Sequence, residues 1–225
     1  RGESAATDGF LRLVDDLGIP VRTRSWKAFR ARQEAGPRPL DDREALRIAY
    51  DREVAAALGP ADVYALVGYM LILGPELCQR FPFINLHPAP PGGPAGAWED
   101  VIWHLMEAQA SESGIMIHRA TPELDRGPIL TYCRFPIRGR AFDPLWAEWE
   151  EAVRAGRGDR ASPPALFHRI REEGVRREAP LLVETLRALA DGRIRIAGEG
   201  VYCGGEPLEG GLCLSDEVEA LMSAG

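Results

Sequence analysis

The chain has 225 residues, of which 45% are hydrophobic and 27% charged, with a formal net charge of −7. That balance suits one soluble α/β-sized domain with or without a small appendage, and it argues by charge against a nucleic-acid partner. No apolar run reaches the roughly 18 residues of a membrane helix, the opening RGESAATDGF lacks an apolar signal core, and Cys78, Cys133, Cys203 and Cys213 lie far apart with no C-x-x-C pair, which predicts free thiols in a reducing cytoplasm and no zinc or disulfide framework.

In chain order, apolar positions Phe10, Leu11, Val14 and Leu17 recur at helical spacing, and GIPVRTRS after them reads as a glycine cap and a short strand. Residues 42–58 form a second amphipathic pattern, with Asp41 or Asp42 as its cap. ADVYALVGYMLILG, residues 61–74, is nearly all apolar and predicts a central strand of a parallel sheet covered on both faces. A short helix, PELCQRF, leads to the strand FINLH, and successive helix-strand units indicate an α/β layer architecture. After a Pro/Gly loop come a helix at 98–109, a strand at 114–120, the loop TPELDRGP and a strand at 129–137. Residues 140–163 read as an inserted short helix and loop whose Trp146 and Trp149 are core or interface residues. A long helix at 164–190 is expected to kink at Pro180. ADGRIRIAG turns it into a strand, and residues 200–214 predict a glycine-rich β-hairpin. The expected division is an α/β domain over 1–199 and a hairpin with tail over 200–225.

One stretch stands out chemically. In INLHPAPPGGPAG the strand ends in Asn85 and His87, which alternation puts on one side of the strand. Ligands of open parallel sheets bind at the carboxyl ends of strands. An amide N–H and an imidazole aimed together can hold a carbonyl oxygen and receive its developing charge, and the imidazole can move a proton. The same two residues could instead only cap the strand by hydrogen bonding. Asp125, in the loop PELDRGP, could orient the imidazole, hold a water or shuttle a proton, or it could be a turn residue bonded to its own backbone.

Asn-x-His-Pro after an apolar strand, Gly96, a helix, GIMIH and then LDRGPI together resemble the folate-dependent formyltransferases, with those acting on glycinamide ribonucleotide the nearest branch. The resemblance covers about residues 61–137, and LADGRIRI is similar to the family's C-terminal helix-to-strand turn. It implies a Rossmann-like formyltransferase fold, with a mostly parallel sheet flanked by helices, and 10-formyltetrahydrofolate as co-substrate without a metal. It implies that Asn85, His87 and Asp125 are catalytic. It places the pterin against Met70, Leu71 and Leu73 and against the loop of Ala120, Thr121, Glu123 and Leu124. Glu178 matches the position that binds the substrate amine, although a solvated helix glutamate beside Arg176 and Arg177 reads equally well.

The chain departs from that family in four ways. No leading strand or Gly-Ser-Asn phosphate loop precedes the first helix, so a fragment of a longer protein is expected. Leu71 stands where the family often has arginine. The loop PAPPGGPAG is less bulky, and residues 140–163 are extra. The implied reaction is formyl transfer to a small-molecule amine in purine biosynthesis by a cytoplasmic enzyme, with a homodimer as its candidate assembly and no nucleic-acid or membrane partner. A 10-formyltetrahydrofolate hydrolase, a sugar-nucleotide N-formyltransferase and a non-catalytic folate- or nucleotide-binding relative are the other readings. A methionyl-tRNA formyltransferase is disfavoured, because the acidic tail replaces its basic C-terminal barrel.

Overall fold

The structure, a computed structural model, describes residues 5–36, 42–158 and 160–224. Asp41, one of the two expected caps, and the outermost residues of the two expected segments, 1–4 and 225, lie outside the described residues. The chain divides into two compact units. One comprises residues up to 62 together with 71–81, and the other 63–70 with 82–224.

The first unit is helical, with α1 (Ala5–Asp16), α2 (Trp26–Glu34), α3 (Arg43–Ala57) and α4 (Pro75–Arg80). Asp42 caps α3, its carboxylate accepting the Ala45 N–H at 3.0 Å, which satisfies one orphan donor of the first turn. The Trp26 ring stacks on Phe29 at 5.6 Å, and Tyr50 stands edge-on to both at 5.1 and 5.3 Å. The Tyr50 hydroxyl donates to the Arg24 carbonyl at 3.0 Å. One expectation is corrected here. Residues 19–25 form no strand, and α2 follows directly, started by Ser25, whose hydroxyl accepts the Ala28 N–H at 3.2 Å. Only Phe29 of α2 is buried, so the helix has no apolar stripe that a periodicity could reveal.

The second unit holds β1 (Tyr64–Leu66), β2 (Phe83–His87), β3 (Glu112–Arg119), β4 (Ile129–Pro136), β5 (Ile194–Ala197), β6 (Gly200–Cys203), β7 (Glu206–Pro207) and β8 (Leu212–Cys213). Its helices are α5 (Trp98–Glu107), α6 (Asp143–Arg154), α7 (Ala165–Ala190) and α8 (Ser215–Ala224). The main sheet has the order β1-β2-β3-β4-β8. β1 pairs parallel with β2 and β4 with β8, while β3 is antiparallel to both neighbours. Four of the five strands therefore point the same way. α7 packs on β3 and β4, with α5, α6 and α8 against it. The expected hairpin is β6 and β7, joined by β5 into a small antiparallel sheet. β8 leaves that hairpin for the main sheet, a separation that the glycine-rich sequence concealed.

The apolar run 61–74 is not a central strand. β1 is three residues long and lies at the edge of the sheet order. Val67, Met70 and Ile72 are 60%, 66% and 50% exposed, so an unbroken apolar run did not signify burial on both faces. Helix α7 continues through Pro180 without interruption. Trp146 and Trp149 are core residues, as read, and the Trp146 Nε1–H donates to the Ile137 carbonyl at 2.5 Å. Thr131 on β4 hydrogen-bonds Thr185 on α7 at 2.6 Å inside this core, and Thr185 donates onward to the Leu181 carbonyl.

The middle of β3 anchors both the core and the site strand beside it. Ile117 is fully buried there. Ile117→Ala is expected to lower unfolding stability by about 2 to 5 kcal/mol, read from urea denaturation. A loss well below 1 kcal/mol on the same scale would contradict this packing.

Candidate active site

Asn85 and His87 lie on the same face of β2, and the antiparallel register sets Asn85 directly opposite His118 of β3. The pairing of β3 with β4 shifts between Ile117 and His118, and such an irregularity re-aims a side chain at a strand end. The chain then turns through residues 120–128 and brings Asp125 back over the strand pair. Asp125 has a φ of +53°, a left-handed conformation that Asp and Asn tolerate better than most side chains. Gly127 passes so close to β3 that a Cβ there would lie 1.8 Å from the Arg119 carbonyl oxygen. The Arg119 N–H donates to the Pro128 carbonyl at 2.8 Å, which fixes the loop from its other side.

Four side chains converge. The Asp125 carboxylate is 6% exposed, and its Oδ2 stands 3.6 Å from His87 Nδ1. The same oxygen accepts the Gly96 N–H at 3.1 Å, and Gly96 has a φ of +110°, which favours glycine there. Oδ1 lies 3.5 Å from His118 Nε2 and accepts from Asn85 Nδ2 at 3.4 Å. The loop of 88–97 is thus tied at two points, since His87 Nε2 also meets the Pro94 carbonyl at 2.9 Å.

These partners set the tautomers. A carbonyl only accepts, so His87 carries its proton on Nε2 and its neutral ring presents a bare Nδ1 to Asp125. His118 donates from Nδ1 to the Arg119 carbonyl at 2.9 Å, which leaves Nε2 to accept from Asn85 Nδ2 at 3.2 Å. Two acceptors, His87 Nδ1 and Asp125 Oδ2, therefore face each other across 3.6 Å. That gap suits a donor such as an amine or a water. The Asn85 N–H aimed at Asp125 is the longer of its two bonds at 3.4 Å, so it is the one most easily given to an incoming oxygen.

Burial pushes His87 below the usual imidazole range, against the opposing influence of the Pro94 hydrogen bond and the Asp125 charge. Burial alone would raise Asp125, but the neighbouring His118 imidazole, the Gly96 hydrogen bond and the His87 imidazole outweigh it and hold the carboxyl below its ordinary value. The signs agree. The unfolded chain binds more protons than the folded one as pH falls below about 6.5 for His87, and again below about 3.9 for Asp125, so both groups withdraw stability in acid. In NMR titration the His87 Cε1–H is expected to have its midpoint below about 6.5. Asp125→Asn should lower it further, because the carboxylate is one of the influences holding it up. A midpoint at or above the ordinary imidazole value would contradict this environment.

The remaining expected residues are placed as follows. Ala120 spends its N–H on the Phe83 carbonyl at 2.9 Å. Thr121 donates its hydroxyl to the Glu123 carbonyl at 3.0 Å. Leu124 and Met70 are 51% and 66% exposed. Met70 belongs to the second unit, Leu71 and Leu73 to the first. Glu178, on α7, pairs with Arg171 at 2.6 Å, and that guanidinium lies over the Trp98 ring at 4.6 Å. Glu178 is therefore a half-buried, ion-paired residue. His118 was missed from sequence. Its signal was available, because an imidazole ends an otherwise apolar strand just before the Asp125 loop, as His87 ends β2. No cluster of three or more His, Cys, Asp or Glu placed to hold a metal occurs among the described residues.

Residues 13–140 match the family described as Formyl transferase. The chain is 33% identical over 103 residues to a phosphoribosylglycinamide formyltransferase of Dictyostelium discoideum, covering 40% of this chain and 50% of the relative. It is 35% identical over 78 residues to the Haemophilus influenzae protein of the same name, covering 34% and 36%. The chain thus matches half or less of the length of these curated relatives. Among solved structures, the phosphoribosylglycinamide formyltransferase of Coxiella burnetii shares the fold with a TM-score of 0.58 at 19% identity, over 91% of this chain and 90% of that one. A formyltetrahydrofolate deformylase of Pseudomonas syringae does so with a TM-score of 0.51 at 22% identity, over 73% and 47%. The family match takes in β2, β3, β4 and the loop of Asp125, and so covers every element that builds the site; the chain belongs to the formyl transferase family.

Proposed function

We propose that the protein transfers a formyl group from 10-formyltetrahydrofolate to a primary amine, and that the acceptor is glycinamide ribonucleotide. The observation that carries the reading is the convergence of Asn85, His87 and His118 on one buried carboxylate, Asp125. Family membership supports formyl transfer, and the name shared by the two curated relatives supports the acceptor.

The chemistry follows from the atoms present. The amine nitrogen attacks the formyl carbon, and a C–N bond forms as the carbonyl electrons move onto oxygen. Asn85 Nδ2 swings its weaker hydrogen bond from Asp125 to that oxyanion, a donation worth about 10² to 10³ in rate. The proton lost by the amine passes into the acceptor pair of His87 Nδ1 and Asp125 Oδ2. From there it reaches the folate nitrogen as the old C–N bond breaks, and such transfers contribute about 10² to 10⁴. In this reading Met70 and the loop of Ala120, Thr121, Glu123 and Leu124 receive the pterin. Glu178 would meet the amine only after releasing Arg171.

The protein, mixed with 10-formyltetrahydrofolate, is expected to release tetrahydrofolate only when glycinamide ribonucleotide is present. His87→Ala should slow that release by about 10² to 10⁴ and Asn85→Ala by about 10² to 10³. Equal release without the acceptor would replace the amine by water and make the protein a hydrolase. An undiminished rate in both variants would overturn the mechanism.

A further inference from the structure

A cavity lies wholly within the helical unit and shares no residue with Asn85, His87, His118 or Asp125. It encloses about 450 Å3 between α3 and α4. Ile48, Ala55 and Leu77 supply apolar wall. Asp51 lines it and is only 6% exposed.

Asp51 is the exception among the buried acids of the described residues. Glu173 pairs with Arg169 and Arg177 at 2.7 Å each, Glu184 with Arg187 at 2.5 Å, and Asp125 lies between two imidazoles. Among the described residues Asp51 has no ion pair: the Gly74 N–H donates to its Oδ2 at 2.6 Å, and the Arg47 charge acts on it from farther off. Arg47, one turn earlier on α3, pairs instead with Glu44 at 3.7 Å. Buried charges are ordinarily paired, because an isolated one forfeits its hydration without recompense. Burial raises the Asp51 carboxyl and outweighs the opposing Gly74 hydrogen bond and Arg47 charge. The charged residues around the cavity lean the same way, with Glu44, Asp51 and Glu76 against Arg52 and Arg80.

We propose that this cavity binds a small organic cation, an ammonium or amidinium group on an apolar body, with Asp51 as its counter-charge and the Ile48, Ala55 and Leu77 wall taking the body. The inference does not depend on formyl transfer. A purely structural Asp51, one that only clamps Gly74 to α3, would bind no such ligand.

The test uses benzamidine as the probe and benzamide as its neutral isostere, with binding read from protein NMR shifts. The wild-type protein should bind benzamidine saturably and about tenfold or more tightly than benzamide, the size of one charge-assisted contact. Asp51→Asn keeps an oxygen for the Gly74 N–H and removes the charge, so it should erase that preference. Ala55→Leu fills the cavity while leaving Asp51 in place, and it should abolish binding. If Asp51→Asn does not fold, the wild-type preference and Ala55→Leu still decide. Equal binding of the two probes, binding undiminished by Ala55→Leu, or no saturable binding of benzamidine would each overturn the proposal.

Discussion

One buried carboxylate, shared by two imidazoles, an amide and a backbone N–H, organises this part of the molecule. Asp125 must reach His87 and His118 at once, and the surrounding backbone is shaped to let it. The loop adopts a left-handed residue at Asp125 itself and runs so close to β3 at Gly127 that no side chain fits. The Pro/Gly stretch after β2 is held by the same group, through the Gly96 N–H on Oδ2 and, beside it, the His87 contact with Pro94. The prolines and glycines following His87 thus form a stiff strap whose ends are fastened to the site. The opposed strands supply the remaining geometry, because antiparallel pairing of β2 with β3 puts Asn85 against His118 without any long-range coincidence.

Burial and partner choice together determine the chemistry. The partners of the two imidazoles give the site one ring acceptor turned toward Asp125 and another occupied by Asn85. A charged imidazolium pair would repel within a low-dielectric pocket, and burial holds His87 neutral. The site is thus prepared to take a proton, and the proton of an attacking amine is one that must be removed. Outside it, the fold secures this arrangement through ordinary means: α7 lies against β3 and β4, and buried hydroxyl pairing between Thr131 and Thr185 locks helix to sheet.

Much of this was legible in the sequence, for physical reasons. Asn85 and His87 were visible because two polar side chains ending an apolar strand need partners. Asp125 was visible because an acid in a short loop between strands has few other tasks. The helices α3, α5 and α7 announced themselves by apolar period and, for α3, by its cap. The failures have a common cause, because they depend on what lies opposite a residue. The 61–74 run is apolar, yet only its first part forms a strand, at a sheet edge, and several of its side chains are exposed. Helix α2 buries one side chain and so left no stripe. His118 required the β2–β3 register, and Asp51 required the packing of α3 against Gly74. Register and packing are properties of pairs of segments, which a single window of sequence does not contain.

The most direct test of the account is single-turnover formyl transfer by Asp125→Asn. The amide keeps the shape and tolerates the left-handed backbone but cannot carry the charge that completes the proton-accepting pair. The account predicts that the transfer step slows by about 10² to 10⁴ while folate affinity, read by fluorescence quenching, stays near that of the wild type. A transfer rate equal to wild type would contradict it, since the carboxylate on which the arrangement converges would then have no part in the reaction.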